Sequence, residues 1–316
     1  MASGAHNPEP DPEVTRLVRA LQSLVDGESA IDELVACGPP AVPALREFLL
    51  NGRISSVPQP RMWAAEALAR LEARDVLIEY LEAPDRATDA QLSFGEDAVR
   101  NTAARHLGRW HDEHTFAVLL RLCERRLLPG VIEALAGFER AAAMPCLDRA
   151  LEDDFCRTPA EEGLRRMGPA ARGHLVFSAI SALPDAEKET PSSLGRRRRA
   201  AAMLADMGVD ARDWGELRRL LDEQDPELLV SAAHIATACA GPEDRAAAAA
   251  VLVGKLGAVP WHAQEDAEAA LLALAPESIP AIQAELSRRA ARPPLVRASD
   301  EVLRMLLRLA GAAAPK

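Results

Sequence analysis

Aromatic side chains are almost missing from this chain. Phe, Trp and Tyr make up 3% of 316 residues, with a single tyrosine, Tyr80. A core must therefore be built from Ala, Leu and Val, and small side chains suit closely approaching helices better than a β-sandwich or barrel. Period-two Val/Ile alternation is also absent, so no sheet is expected. No apolar run reaches the length of a membrane span; Ala246–Val253 is too short. The first residues, Met1 to Glu13, are polar and proline-bearing without an apolar core, so no secretory leader is expected. Five scattered cysteines include no Cys-x-x-Cys, and none has an evident activating neighbour in sequence. Free thiols in a reducing, cytoplasmic setting are the expectation. Lysine is nearly absent as well. Lys188, Lys255 and Lys316 are the only three, an arginine bias of the kind a GC-rich bacterial genome produces. The formal net charge of −11 disfavours generic nucleic-acid binding, which needs clustered cations to neutralise phosphates. Only the central third, 100–199, has more basic than acidic residues.

No Walker loop, dinucleotide fingerprint or Gly-x-Ser-x-Gly elbow is present. No cofactor is implied. Instead a degenerate octet recurs, Arg-x-x-Ala-Ala-x-x-Leu, at Arg61–Leu68, Arg100–Leu107 and Arg197–Leu204. A small pair on a helix marks a place where a neighbouring helix comes close, and its repetition implies helix pairs stacking on helix pairs. Further small pairs are Ala232-Ala233 and Ala269-Ala270. Second helices of each pair are expected to begin near Pro43, Asp75, Glu113, Ala143, Gly168, Asp213, Gly241 and Pro276, where Gly, Pro and acids supply a helix stop and a helix start. The expected organisation is a tail over 1–12, one repeat domain over 13–310 and a short tail over 311–316. Glu82–Gly95 and Leu183–Gly195, where the period slips, read as long polar loops. Leu295–Leu309 reads as a capping helix.

The stretch Glu96-Asp97-Ala98-Val99-Arg100-Asn101-Thr102-Ala103-Ala104 through Leu107-Gly108 to Leu120 resembles the HEAT repeat, and more narrowly the short HEAT-like repeats of phycobilisome-lyase-type proteins. Asp225–Ala233 is a second match, with Leu229 in place of the usual arginine. The resemblance implies an all-α, right-handed solenoid of about eight stacked antiparallel helix pairs, whose concave face of second helices holds a partner. It says little about function, since this scaffold serves many.

HEAT hydroxylases hold iron through His-Glu pairs, and none of the seven histidines here is followed by Glu. His106, His111 and His114 with Asp112 and Glu113 form a local cluster of ligand-type residues, but acids at this turn are also what a helix start requires. HEAT-like alkylpurine DNA glycosylases stack bases on tryptophans. The four tryptophans here are well separated, and no matching Trp-Asp-Arg set is found. Lyases and chaperones of bilin attachment, a third class, leave no marker residue.

The reading that remains is a non-catalytic scaffold or adaptor for another protein, one that could carry an acidic segment. Arg121 and Arg125, one helical turn apart, and Arg165 are the candidate contacts, together with Trp110 and Trp214 at helix starts. The repeat arginines Arg61, Arg100 and Arg197 are expected to pair with acids of neighbouring turns, such as Asp97, as a structural ladder.

Overall fold

A computed structural model describes residues 11–182, 184–185, 188–290 and 302–308. The tail over 1–10 and 311–316, and the flanks of the expected capping helix (295–301 and Leu309), lie outside the described residues; 302–308 are helical. The tail assigned to 1–12 is too long by two residues. Asp11 caps the first helix through its side chain, and Pro12 opens it.

The chain forms two compact units, Met1–Leu164 and Arg165–Lys316. The first begins with α1 (Pro12–Ala20), which packs on α2 (Gly27–Cys37) and α3 (Val42–Asn51). Further pairs follow: α4 (Gln59–Arg70) with α5 (Arg74–Glu82), α6 (Ala90–Leu107) with α7 (Glu113–Arg125), and α8 (Pro129–Gly137) with α9 (Met144–Ala150). The boundary falls within α10 (Arg157–Met167). The second unit continues with α11 (Arg172–Ile180), α12 (Pro191–Met207), α13 (Ala211–Leu217), α14 (Pro226–Cys239), α15 (Pro242–Lys255), α16 (Gln264–Ala273) and α17 (Ser278–Ala290). After α1 the chain order among the described residues is eight successive helix pairs, and the fold is all-α.

First helices stack on first helices. α4 packs on α6 and α6 on α8; α12 packs on α14 and α14 on α16. The small pairs make this possible: Ala64, Ala65, Ala103, Ala104, Ala200, Ala201, Ala232 and Ala233 are all fully buried. Ala270 is buried too, but Ala269 faces solvent, so the last pair is only half used. Where alanine is still too large, glycine appears. A Cβ on Gly130 would lie 2.2 Å from the Asn101 carbonyl oxygen, and one on Gly163 would lie 2.6 Å from the Ala136 Cβ. Gly163 is how the weakly matching stretch Thr158–Gly168 still forms a regular first helix.

Five of the eight turns inside pairs carry a residue with positive φ: Gly38 (72°), Gly168 (54°) and Gly208 (76°), but also Glu72 (57°) and Glu139 (52°). This is the left-handed residue that ends a helix, a position that favours glycine. Side-chain caps then start helices. Asp89 accepts from the Leu92 amide (2.9 Å), Asp112 from Thr115 (3.0 Å) and Asp225 from Leu228 (3.1 Å). Each such cap is worth about 1 kcal/mol.

The two slipped segments are shorter loops than expected. The Asp89 cap starts α6 at Ala90, so Gly95 lies inside the helix, where α6 passes so close to the Ser55 carbonyl that a Cβ would sit 2.3 Å from it. The other segment holds a two-residue antiparallel ribbon, Pro184–Asp185 (β1) against Lys188–Glu189 (β2), before Thr190 caps α12. Among the described residues that ribbon is the one piece of strand, too short for periodicity to reveal.

Candidate functional site

Arginine placement decides which surface is left for binding. Arg61 on α4 is 5% exposed. Its Nε and Nη2 donate to the Leu49 carbonyl at the end of α3 (3.1 and 2.6 Å), and its Nη1 pairs with Glu96 on α6. Arg197 on α12 repeats the arrangement. Its Nε donates to the Ala179 carbonyl at the end of α11 (2.9 Å), its Nη1 donates to Glu189 (2.7 Å), and its Nη2 pairs with Glu223 ahead of α14. In both, a guanidinium neutralises the exposed carbonyls of one second helix while binding an acid further along the chain. Arg61 and Arg197 thus each bridge a second-helix carbonyl and an acid of another turn, and that acid is not the one expected. Asp97 is the partner of neither Arg61 nor Arg100. Arg126 takes Asp97 (2.7 Å), and Arg100, 6% exposed, leans on Asp85 (3.5 Å). Burial raises the Asp97 carboxyl above its usual range against the pull of Arg126 and Arg100, and its Oδ1 has no hydrogen-bond partner. Tyr80 completes this buried cluster. Its hydroxyl donates to Glu96 (3.4 Å) and its ring lies beneath Arg61 at 5.4 Å.

The second helices of the first unit carry a different, exposed ladder. Arg46 on α3 pairs with Glu79 on α5 (2.7 Å) and holds that carboxyl below its usual range; Glu82 on α5 pairs with Arg121 on α7. Arg121 and Glu82 are 47% and 45% exposed, so the pair adds little to stability and can be exchanged for a partner's charges. Arg125 is exposed at the end of α7.

At the other end of the same helices lies an open cleft of about 490 Å³. It is lined by Val42 at the start of α3, by Glu72 to Val76 around the start of α5, and by Trp110 just before α7. The Trp110 ring is held from one side by the Arg109 guanidinium, 5.1 Å from the ring centroid. Arg109 is itself fixed by the Ala69 carbonyl (3.0 Å) and Glu72 (2.9 Å). Arg74 on the rim is fixed by Asp75 (3.0 Å) and Asp112 (2.8 Å). The result is an apolar floor with charged groups already in place around it.

Other candidate residues lie elsewhere. Trp214 is 5% exposed, and its indole N–H donates to Asp244 (2.9 Å). The helix start that was expected to leave it at the surface instead points it into the packing between α13 and α15, so it is not a contact residue. Arg165 is exposed on α10. The His106–His114 cluster is divided by its roles. His111 stacks on Phe138 with centroids 4.9 Å apart, Asp112 caps α7, and His106 is half-buried, its pKa lowered by that burial. Among the described residues no three His, Cys, Asp or Glu side chains converge as metal ligands, and no helix is long and apolar enough to cross a membrane.

Sequence reasoning missed two features. Phe94 is 75% exposed above a second cleft of about 360 Å³, bordered by Ser56, Ala90 and Gln91. It went unseen because Glu82–Gly95 read as a loop. Arg149 on α9 reaches the Cys123 carbonyl and lies 3.8 Å from the Cys123 sulfur on α7, a contact across 26 positions that carried no signal.

No family model and no curated protein matches this chain. Among solved structures, the chain is similar to human deoxyhypusine hydroxylase in complex with glycerol, at 18% identity and a TM-score of 0.28, over 86% of this chain and 96% of that one.

Proposed function

We propose that this protein is a non-catalytic scaffold that binds another protein across the second-helix face of its first unit, from the Trp110 cleft to Arg125. The observation that supports this reading is the pre-ordered cleft. Trp110 lies partly exposed against Val42 and Val76, with Arg109 and Arg74 locked by their own ion pairs. An aromatic anchor whose neighbours are already fixed loses little conformational freedom on binding, and such residues dominate protein interfaces. The exposed Arg46–Glu79 and Glu82–Arg121 pairs run between cleft and Arg125 and suit a partner with charges of both signs, including an acidic stretch that meets Arg125. The likeness of residues 96–120 to phycobilisome-lyase-type repeats agrees with this reading at the level of the repeat, and the free thiols agree with a cytoplasmic setting.

The test is affinity capture from native extract, with wild type, Trp110→Ala and Arg125→Glu as bait. A specific partner retained by wild type and lost with Trp110→Ala, while the circular-dichroism melt is unchanged, supports the cleft. Equal capture by both folded variants refutes the placement. Salt-sensitive binding of duplex or lesion-bearing DNA by wild type would favour the glycosylase-like alternative instead.

A further inference from the structure

The Trp110 cleft lies at the end of the first unit where second helices begin, and α1 begins there too. The connector from α1 to α2, 21–26, is short, and the two helices pack on one another. Arg16, four residues after Pro12, meets Glu33, four residues before Cys37, at 3.1 Å. α1 therefore runs antiparallel to α2, which puts Pro12 at the Cys37 end of that helix. The Gly38 turn reverses the chain again into α3, on which α1 also packs. The start of α1 and Val42, at the start of α3, thus share one end, and Val42 is a wall of the cleft. Pro39 and Pro40, both exposed, link the two places.

Ahead of Asp11 the chain reads Met-Ala-Ser-Gly-Ala-His-Asn-Pro-Glu-Pro. Proline stands at 8, 10 and 12, and each biases the residue before it to extended backbone. Asp11 has that conformation, with φ −52° and ψ 125°, close to polyproline II. Neighbouring helices lie about 8–10 Å apart, so the α5 wall of the cleft is about 20 Å from Pro12. A polyproline II segment advances about 3.1 Å per residue. Pro8 and Pro10 then fall near Val42, and residues 2–6 fall at Trp110. That stretch, Ala2-Ser3-Gly4-Ala5-His6, lets a backbone come close to the indole ring. The segment has no Lys or Arg and a single acid, Glu9, so it leaves the self-paired rim charges, Arg109 with Glu72 and Arg74 with Asp112, undisturbed. Extended proline-bearing segments on exposed aromatic rings are a common mode of recognition.

We infer that residues 1–10 of this chain lie back over the start of α3 and occupy the Trp110 cleft, so that the protein holds its own partner site closed. The closing role rests on the proposed partner site; the docking rests on reach, on the backbone at Asp11 and on the chemistry of the segment. A tethered segment meets the cleft at an effective concentration on the order of millimolar, so weak contacts suffice. A partner then binds only the open fraction, and its apparent affinity falls accordingly.

The experiment is methyl NMR on the full chain with isotope-labelled alanine, the Ala2 and Ala5 signals being assigned by Ala2→Gly and Ala5→Gly. The expected result is that at least one of these signals lies upfield of its position in a synthetic peptide of residues 1–12, through the ring current of Trp110. It should return to the peptide position in Trp110→Ala, checked for native circular dichroism, and move toward it in Pro8→Gly/Pro10→Gly. Peptide-like positions in wild type overturn the docking, as does an upfield shift that Trp110→Ala leaves unchanged. A shift that fades on dilution assigns the segment to the cleft of a second copy and overturns it as well. Partner capture separates the two readings. With the segment docked about nine-tenths of the time, Pro8→Gly/Pro10→Gly should bind the partner about tenfold more tightly. Unchanged affinity with the shift present refutes the closing role and leaves the segment docked. Capture lost with Trp110→Ala but no shift in wild type keeps the partner site and refutes the docking.

Discussion

Removing the Glu96 carboxylate should unfold the first unit more readily than any single exposed change. Glu96 and Arg61 side chains are 3% and 6% exposed, and Arg61 is anchored from its far side by the Leu49 carbonyl, so it cannot swing out to water without giving up two hydrogen bonds. Glu96→Ala leaves a guanidinium charge buried beside the Tyr80 ring with no counter-charge. Breaking one side of a buried pair costs about 3–5 kcal/mol. For a unit of this size that is a fall of roughly 6–20 °C in melting temperature. Arg61→Met combined with Glu96→Leu removes both charges. The remaining loss is then chiefly the unsatisfied Leu49 carbonyl, about 1–3 kcal/mol. The double variant should therefore be more stable than Glu96→Ala alone, with a coupling of at least about 1 kcal/mol in the cycle completed by Arg61→Met. Urea titration followed by circular dichroism at 222 nm measures all four proteins. A loss below about 1 kcal/mol for Glu96→Ala, or additive losses in the double variant, would refute the claim that the ladder is a buried, mutually dependent pair.

Gly130→Ala should cost about 1–3 kcal/mol in the same assay, because its Cβ has no room beside the Asn101 carbonyl. At position 72, Gly should be more stable than Ala by about 1 kcal/mol, since both lose the Arg109 ion pair and only glycine accepts the positive φ freely. The hydrogen bond from the Thr115 amide holds the Asp112 carboxyl below its usual range. Its depressed folded value means the cap's contribution is full above the unfolded value near about 4 and disappears as pH falls through the folded value. The stability gap between wild type and Asp112→Ala, read by thermal melts, should accordingly be present at pH 7 and shrink toward pH 2. Trp214→Phe should lower stability by about 1–2 kcal/mol through the lost indole–Asp244 bond without changing partner capture.

Particular residues show how much could be read in advance. The alanine pairs announced which helix faces would touch, because a face without side-chain bulk is useful only where another backbone approaches. Turn residues announced the second-helix starts, including Asp75, Glu113 and Asp213, since capping is local chemistry. Arg61 and Arg197 announced a ladder, but its acids could not be named: Glu96 and Glu223 lie 35 and 26 residues away, at separations no period specifies. Trp214 was misplaced because a helix start does not reveal which face of the helix is covered. The Trp110 cleft was half legible. Its tryptophan stood out, while Val42 and Val76 are unremarkable until three turns are brought side by side.

The all-helical class, the pairing of helices and the positions of their turns follow from local sequence, because helix period, caps and small pairs act within a few residues of one another. Tertiary packing sets which arginine meets which acid, which tryptophan stays accessible and that Arg149 lies against Cys123. Those outcomes depend on contacts between residues 20 to 40 positions apart, and in a degenerate repeat the length of each connection, which sets the register of every such contact, varies from unit to unit.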